Sequence, residues 1–150
     1  MINNKYFAID AHCHIFPDKI AQAATDSTDD FYKITKSAYD GKVSTLLSTA
    51  EESGIDKFIV QSVATTPKQV SKINEFIAGE VSEHSDKFIG VGTLHPDSES
   101  LKDDVNQIMS LGLHGVKLHP DIQHFKIDDY RCLKIYELCE ENGIDTDSEE

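Results

Sequence analysis

The sequence is poor in basic residues, and those it has are dispersed. Its 150 residues include 14 Lys and Arg against 27 Asp and Glu, which gives a formal net charge of -13. Arg131 is the only arginine, and the lysines are scattered, so no basic patch could bind a nucleic acid or an anionic membrane. We therefore expect a small-molecule substrate and no nucleic-acid or membrane partner.

Cysteine and long apolar runs are also scarce. The three cysteines, Cys13, Cys132 and Cys139, are odd in number and lack C-x-x-C spacing, which argues against a disulfide framework and a zinc knuckle. Residues 1–6 are polar, and no apolar run approaches the roughly 18 residues of a membrane span. These features predict a cytoplasmic protein with neither a signal peptide nor a membrane anchor.

What the chain does contain is an alternation of short apolar runs and amphipathic stretches. A hydrophobic content of 39% suits one globular domain with a real core. Repeated βα units require parallel strands joined by right-handed crossovers, and ligands bind at the carboxyl ends of such strands. The sequence predicts four βα units in a parallel α/β fold, with strands at 6–14, 57–63, 88–94 and 115–119.

Several local signals mark the boundaries of the helices. Gly54 is placed to end the helix before the second strand, and Thr66 with Gln69 forms a predicted capping box for the next helix. The polar passage 16–42 is long for a connection and is predicted to be a loop, with a short helix around 18–24. A second loop is predicted at 121–129.

The first strand leads directly into two histidines. On an extended backbone His12 and His14 point the same way, so both imidazoles can bind one metal ion. An isolated His-x-His is a common coincidence, but its position at a strand end favours a metal site. The Asp10 carboxylate either orients a ligand histidine or accepts a hydrogen bond from a neighbouring backbone amide.

The end of the sequence differs from a corresponding point earlier in the chain. Residues 53–56 lead into an apolar strand, whereas the similar residues 142–145 lead into an acidic segment without β-propensity. We therefore predict a domain over 1–144 and an acidic disordered tail over 145–150. Four units would leave the first and fourth strands with unpaired edges, so we expect self-association through exposed sheet edges, unless the sheet opens out like a flavodoxin.

Four ordered segments together resemble a known family: Ile9–His14, Val60–Thr65, Gly92–Pro96 and Gly115–Pro120. They are similar to the amidohydrolase-related metal-dependent hydrolases of the amidohydrolase superfamily, in the branch that contains aminocarboxymuconate-semialdehyde decarboxylase. The resemblance covers the amino-terminal half of a usual member. It implies four βα units of a (β/α)8 TIM-type barrel and a divalent metal, most often zinc, whose bound water attacks a carbonyl. The decarboxylases of the branch use the same metal site to cleave a carbon–carbon bond.

The resemblance also assigns roles to individual residues. His12 and His14 match the first two metal ligands, while the later ligands, a histidine after strand five and an aspartate after strand eight, have no counterpart. Lys117 and His119 share a face of the fourth strand and are candidate catalytic residues: His119 as a third ligand or substrate contact, Lys117 as a charge partner or carbamylated bridge. The alternatives are a buried Lys117 paired with Asp10 and a His119 hydrogen-bonded to a loop.

Several functions stay open at this point. The main hypothesis is a metal-dependent hydrolase of an amide, ester or lactone, truncated or completed by a partner chain and weakly active or inactive alone. The alternatives are a metal-dependent decarboxylase of the same superfamily and a non-catalytic half-barrel that binds metal or oligomerises. An open α/β module that binds a small ligand without metal is a further possibility. The substrate cannot be read from these residues.

Overall fold

The structure is a computed structural model that describes residues 6–148. The strands are β1 (Ile9–His14), β2 (Lys57–Gln61), β3 (Phe88–Gly90), β4 (Gly92–Thr93), β5 (Gly115–Leu118) and β6 (Asp145–Ser148). The helices are α1 (Asp18–Tyr32), α2 (Val43–Ser53), α3 (Val70–Glu83), α4 (Leu101–Ser110), α5 (Pro120–Gln123) and α6 (Tyr130–Asn142). Within residues 6–148, none of the helices combines the length and the apolar character needed to cross a membrane.

The strands form two parallel sheets of three strands each, in the orders β1-β2-β3 and β4-β5-β6. The predicted third strand, 88–94, is divided into β3 and β4 with Val91 between them. The two sheets are nevertheless joined there, because the Val91 N–H donates to the Val60 carbonyl (3.0 Å) and the His114 N–H donates to the Gly90 carbonyl (3.0 Å). The predicted α/β fold with parallel strands is therefore confirmed.

Two glycines allow the helices to pack closely against the sheets. A Cβ on Gly90 would lie 2.7 Å from the Leu113 side chain and 2.8 Å from that of Val81, on α3. A Cβ on Gly92 would lie 2.9 Å from Ile108, on α4. Such distances are shorter than ordinary carbon contacts, so any larger residue at either position would require these side chains to shift. These glycines identify the face of the sheets that the helices cover.

The strand register then shows which side chains lie on the opposite face. Val60 pairs with Gly90, so it faces the helices, whereas the next pair along the strands, His14 and Gln61, faces the other way. Thr93 pairs with Lys117 and also faces away from the helices, because Gly92 does not. The face opposite α3 and α4 therefore carries His14 and Lys117, two of the residues that the sequence singled out.

Asn74 of α3 fixes the backbone of β4 from the side opposite β5. Its Oδ1 accepts the Thr93 N–H at 2.8 Å, its Nδ2 donates to the Thr93 carbonyl at 3.1 Å, and both residues are fully buried. We expect Asn74→Ala to lower the free energy of unfolding by about 2 kcal/mol, because both backbone groups would be left unsatisfied. Urea unfolding measures this, with Asn142→Ala as the control.

Asn142 is exposed and donates one hydrogen bond, to the Leu138 carbonyl at 2.7 Å, so its removal should cost less than about 0.5 kcal/mol. Equal effects of the two alanine variants would show that the Asn74 side chain does not hold β4.

The acidic segment after α6 differs from its prediction. Gly143 adopts a left-handed conformation (φ 65°) that ends α6, Ile144 is buried, and Asp145–Ser148 then pair with β5 as the parallel strand β6. The predicted disordered tail is therefore wrong for 145–148, while 149–150 lie outside the described residues. Pairing succeeds because the edge of β5 offers backbone donors and acceptors that an acidic sequence can also use.

Of the two strand edges predicted to self-associate, the one on β5 is covered. β6 covers the edge of β5, whereas within residues 6–148 β1 is paired as a strand with β2 alone. Self-association through these edges stays a prediction.

The predicted loop 16–42 is largely helical. α1 runs over 15 residues, to Tyr32, rather than ending near 24, and it ends where Lys33 takes a left-handed conformation. Residues 25–30 of this helix are all polar, so no run of apolar residues indicates that it continues past residue 24. Its length matters because the helix follows β1 directly and its end reaches the carboxyl end of β5.

Candidate active site at the carboxyl ends of the strands

The two histidines of β1 project together, as predicted. Their Nε2 atoms are 3.0 Å apart and their ring centroids 5.0 Å apart. Two nitrogens at that separation, each about 2.1 Å from one ion, would subtend an angle of about 90° at the ion, which suits a divalent metal. His12 is exposed and His14 half-buried, so the pair is open to an ion. The donor set and its spacing fit a metal.

Asp10 and Cys13, which lie near His12 in the sequence, make other contacts. Asp10 Oδ1 accepts the His12 backbone N–H at 3.1 Å, so the second alternative for Asp10, a bond to a backbone amide, is the one observed. Cys13 pairs with Val60 and so faces the helices, where burial, and next the Asp10 carboxylate, raise its thiol pKa to about 12. A buried thiol of that pKa on the opposite face does not add to the histidine pair.

The two candidate catalytic residues, Lys117 on β5 and His119 just after it, lie in different surroundings. His119 is 3% exposed and lines the same cleft as His12 and His14. Its Nε2 lies 2.6 Å from the Tyr32 hydroxyl, and its Nδ1 accepts the Ile122 N–H at 3.4 Å. Lys117, in contrast, is completely buried and lies outside the cleft lining.

The cleft has a volume of about 960 Å³ and is open on one side. Its walls come mainly from α1, from the start of α3 and from the strand ends. The residues with basic side chains are Lys68, Lys72, His12, His14, His119 and His124, and the aromatic ones are Phe16, Phe31, Tyr32 and Phe76. Not one of its lining residues among 6–148 is an Asp or Glu, although the chain contains 27 of them. The cleft is therefore locally basic in an acidic protein.

Gln123 organises the strand ends beneath this cleft, and the sequence did not single it out. It is 2% exposed, its Nε2 donates to the carbonyls of Ala64 (2.9 Å) and Leu94 (2.8 Å), and its Oε1 accepts the His119 N–H (2.8 Å). One side chain thus ties together the segments that leave β2, β4 and β5. Its partners are up to 59 residues away, so no local pattern could have revealed this role.

Among residues 6–148, no third residue of ligand type has a ligand atom within 4.8 Å of the ligand atoms of both His12 and His14. In the described part of the chain, Glu80, Glu83 and His84 are the only three residues of ligand type whose ligand atoms lie within 4.8 Å of one another, and they lie near the end of α3. His119, the candidate third ligand, is hydrogen-bonded through both ring nitrogens instead. The pair therefore supplies two protein ligands in this arrangement.

No protein-family model matches the chain. Over 73 residues, 47% of this chain, it is 33% identical to the 2-amino-3-carboxymuconate-6-semialdehyde decarboxylase of Dictyostelium discoideum, 20% of which is matched. Its structure is similar to that of the 5-carboxyvanillate decarboxylase of Novosphingobium aromaticivorans, with a TM-score of 0.73 and 17% identity over 95% of this chain and 50% of that one. The resemblance to aminocarboxymuconate-semialdehyde decarboxylase is thus found in the sequence, and the structural match shows the same fold.

A second solved structure agrees with this fold. The 4-oxalomesaconate hydratase of Rhodopseudomonas palustris matches with a TM-score of 0.64 and 18% identity, over 93% of this chain and 51% of that one. The chain thus spans about half the length of these structures and a fifth of the curated decarboxylase. The Novosphingobium enzyme was solved with bound manganese, so that neighbour binds a divalent metal, whereas zinc has no specific support.

Proposed function

We propose that this chain carries the metal-binding histidine pair and the substrate cleft of a metal-dependent decarboxylase, and that its βα units form half of a (β/α)8 barrel. The observation that carries the proposal is the pair of Nε2 atoms of His12 and His14, 3.0 Å apart, in the wall of a cleft whose described lining residues include no Asp or Glu. The match of nearly the whole chain to about half of each neighbour supports the half-barrel.

His12 and His14 would hold the divalent metal. When bound, such an ion stabilises the negative charge that develops on substrate oxygens as a carbon–carbon bond breaks. Lys68 and Lys72 attract an anionic substrate, because they are the only Lys or Arg residues in the described lining of the cleft. The aromatic side chains offer flat apolar surfaces against which a conjugated substrate can pack and exclude water. Zinc stays a prediction beside manganese.

The charge of the cleft favours a decarboxylase over a hydrolase. A decarboxylase acts on a carboxylate, whereas the amide, ester or lactone of the hydrolase hypothesis carries no charge at its reacting group. Concentrating lysine and histidine in one cleft of a chain with net charge -13 is expected for the first kind of substrate. Two of the three relatives compared above are decarboxylases. Lys117, buried outside the cleft lining, would act as a structural residue.

Binding of a carboxylate tests this proposal most directly. Manganese-loaded protein is titrated with 5-carboxyvanillate and with its dimethyl ester, in which both carboxylates are neutralised, and CO2 release is followed in parallel. We expect the acid to bind and the ester to bind much more weakly. Preferential binding and cleavage of the ester would overturn the decarboxylase in favour of the hydrolase.

Reversing the charge of Lys72, in the wall of the cleft, tests whether the cleft binds the acid. Lys72→Glu should weaken binding of the acid by about 10-fold, and the loss should shrink at high salt. Lys102→Glu makes the same change of net charge on α4, outside the cleft, and should change binding less than about 2-fold. Equal losses in the two variants would show that the cleft is not the binding site.

A further inference from the structure

Tyr32, at the end of α1, is hydrogen-bonded to His119, at the end of β5. The two residues are 87 positions apart, and the Tyr32 hydroxyl lies 2.6 Å from His119 Nε2. Both line the cleft that contains His12 and His14. His119 is 3% exposed, whereas Tyr32 is 47% exposed, so the histidine is the buried partner and the tyrosine faces the cleft.

The polarity of this hydrogen bond follows from the other nitrogen of the ring. His119 Nδ1 accepts the Ile122 N–H at 3.4 Å, so in the neutral imidazole the proton belongs on Nε2. Nε2 then donates to the Tyr32 oxygen. The Tyr32 hydroxyl is therefore the acceptor in this bond and keeps its own hydrogen as a donor.

The end of α1 is held so that Tyr32 keeps this position. The buried Asp29 carboxylate accepts the Ser37 N–H at 2.6 Å and the Ser37 hydroxyl at 2.5 Å, and these bonds lower the pKa of Asp29. Phe31 packs edge-on against Tyr32 and against His119, with ring centroids 5.0 Å and 6.2 Å apart. A side chain restrained in this way can present a donor in a fixed direction.

We infer that Tyr32 is a specificity-determining residue of the cleft: its hydroxyl, oriented by His119, donates a hydrogen bond to an oxygen of the substrate. His119 is then a positioning residue rather than a metal ligand. The substrate contact rests on the proposed function, whereas the orientation of Tyr32 by His119 does not. Tyr32 lies in the part of α1 for which the sequence predicts a loop.

The orientation is tested by NMR on protein with 15N-labelled histidine, without metal and above pH 8. We expect His119 to carry its proton on Nε2, and that proton to exchange slowly with water. Tyr32→Phe should make the exchange fast. Tyr130→Phe, which alters an exposed tyrosine of α6 outside the cleft, should not. A proton on Nδ1 in the wild-type protein, or unchanged exchange in Tyr32→Phe, would overturn the orientation.

The substrate contact is tested with 4-hydroxy-3-methoxy-5-nitrobenzoic acid on manganese-loaded protein. Tyr32→Phe should weaken its binding by about 10-fold or more, as expected for a lost hydrogen bond to a charged group, and leave manganese affinity unchanged. Tyr130→Phe should alter neither. Equal affinity of the wild-type and Tyr32→Phe proteins would refute the contact alone. A wild-type protein that binds manganese but no carboxylate would refute the proposed function, whatever the NMR result.

Discussion

Replacing His12 or His14 by alanine should lower the affinity for manganese or zinc by at least about 100-fold. The two Nε2 atoms, 3.0 Å apart, are the proposed protein ligands, so either variant would leave an ion with one. Even changes to residues that only support a ligand cost 10- to 100-fold, and a lost ligand should cost no less. Isothermal titration and elemental analysis of protein purified without an affinity tag measure the effect.

The control for this experiment is His114→Ala, which removes an exposed histidine outside the cleft lining and should leave metal affinity unchanged. Affinity in the wild-type protein should also fall as the pH is lowered, because an imidazole must be neutral to bind a metal. If wild-type protein takes up no stoichiometric metal, or if both histidine variants retain it, the pair is not a metal site and the proposed enzyme loses its central feature.

Gln123→Met should lower the free energy of unfolding by about 3–4 kcal/mol. Methionine fills a similar volume but cannot hydrogen-bond, so two buried carbonyls and the His119 N–H would lose their partner, at about 1–3 kcal/mol for each group left unsatisfied. A loss of this size is a large part of the stability of a small domain. Urea unfolding followed by circular dichroism measures it.

Gln22→Ala is the matched control for Gln123→Met. Gln22 is exposed on α1 and makes one hydrogen bond, to Asp26, so the variant should cost less than about 0.5 kcal/mol. Because Gln123 also accepts from the backbone of His119, the methionine variant should disturb the cleft before it unfolds the protein, visible as loss of the protected His119 ring proton. A Gln123→Met protein as stable as the wild type would show that water replaces the side chain.

Features that depend on neighbours in the sequence could be predicted from the residues alone. His12 and His14 share a face because side chains alternate along any strand, and Gly54 ends α2 in the left-handed conformation expected of a capping glycine. The capping box of Thr66 and Gln69 likewise needs only residues three apart and is present. In each case the geometry is set within a few residues, so tertiary structure has little to add.

Other features depended on residues far apart in the chain. The bond between Tyr32 and His119 and the three hydrogen bonds of Gln123 leave no periodic pattern in the sequence. The acidic residues of β6 have poor strand propensity, yet they pair because the edge of β5 is beside them. The sequence by itself determined the α/β class and the pairing of His12 with His14, which follow from local patterns. Only the tertiary structure decided what surrounds that pair, because burial and long-range hydrogen bonding are properties of the folded chain.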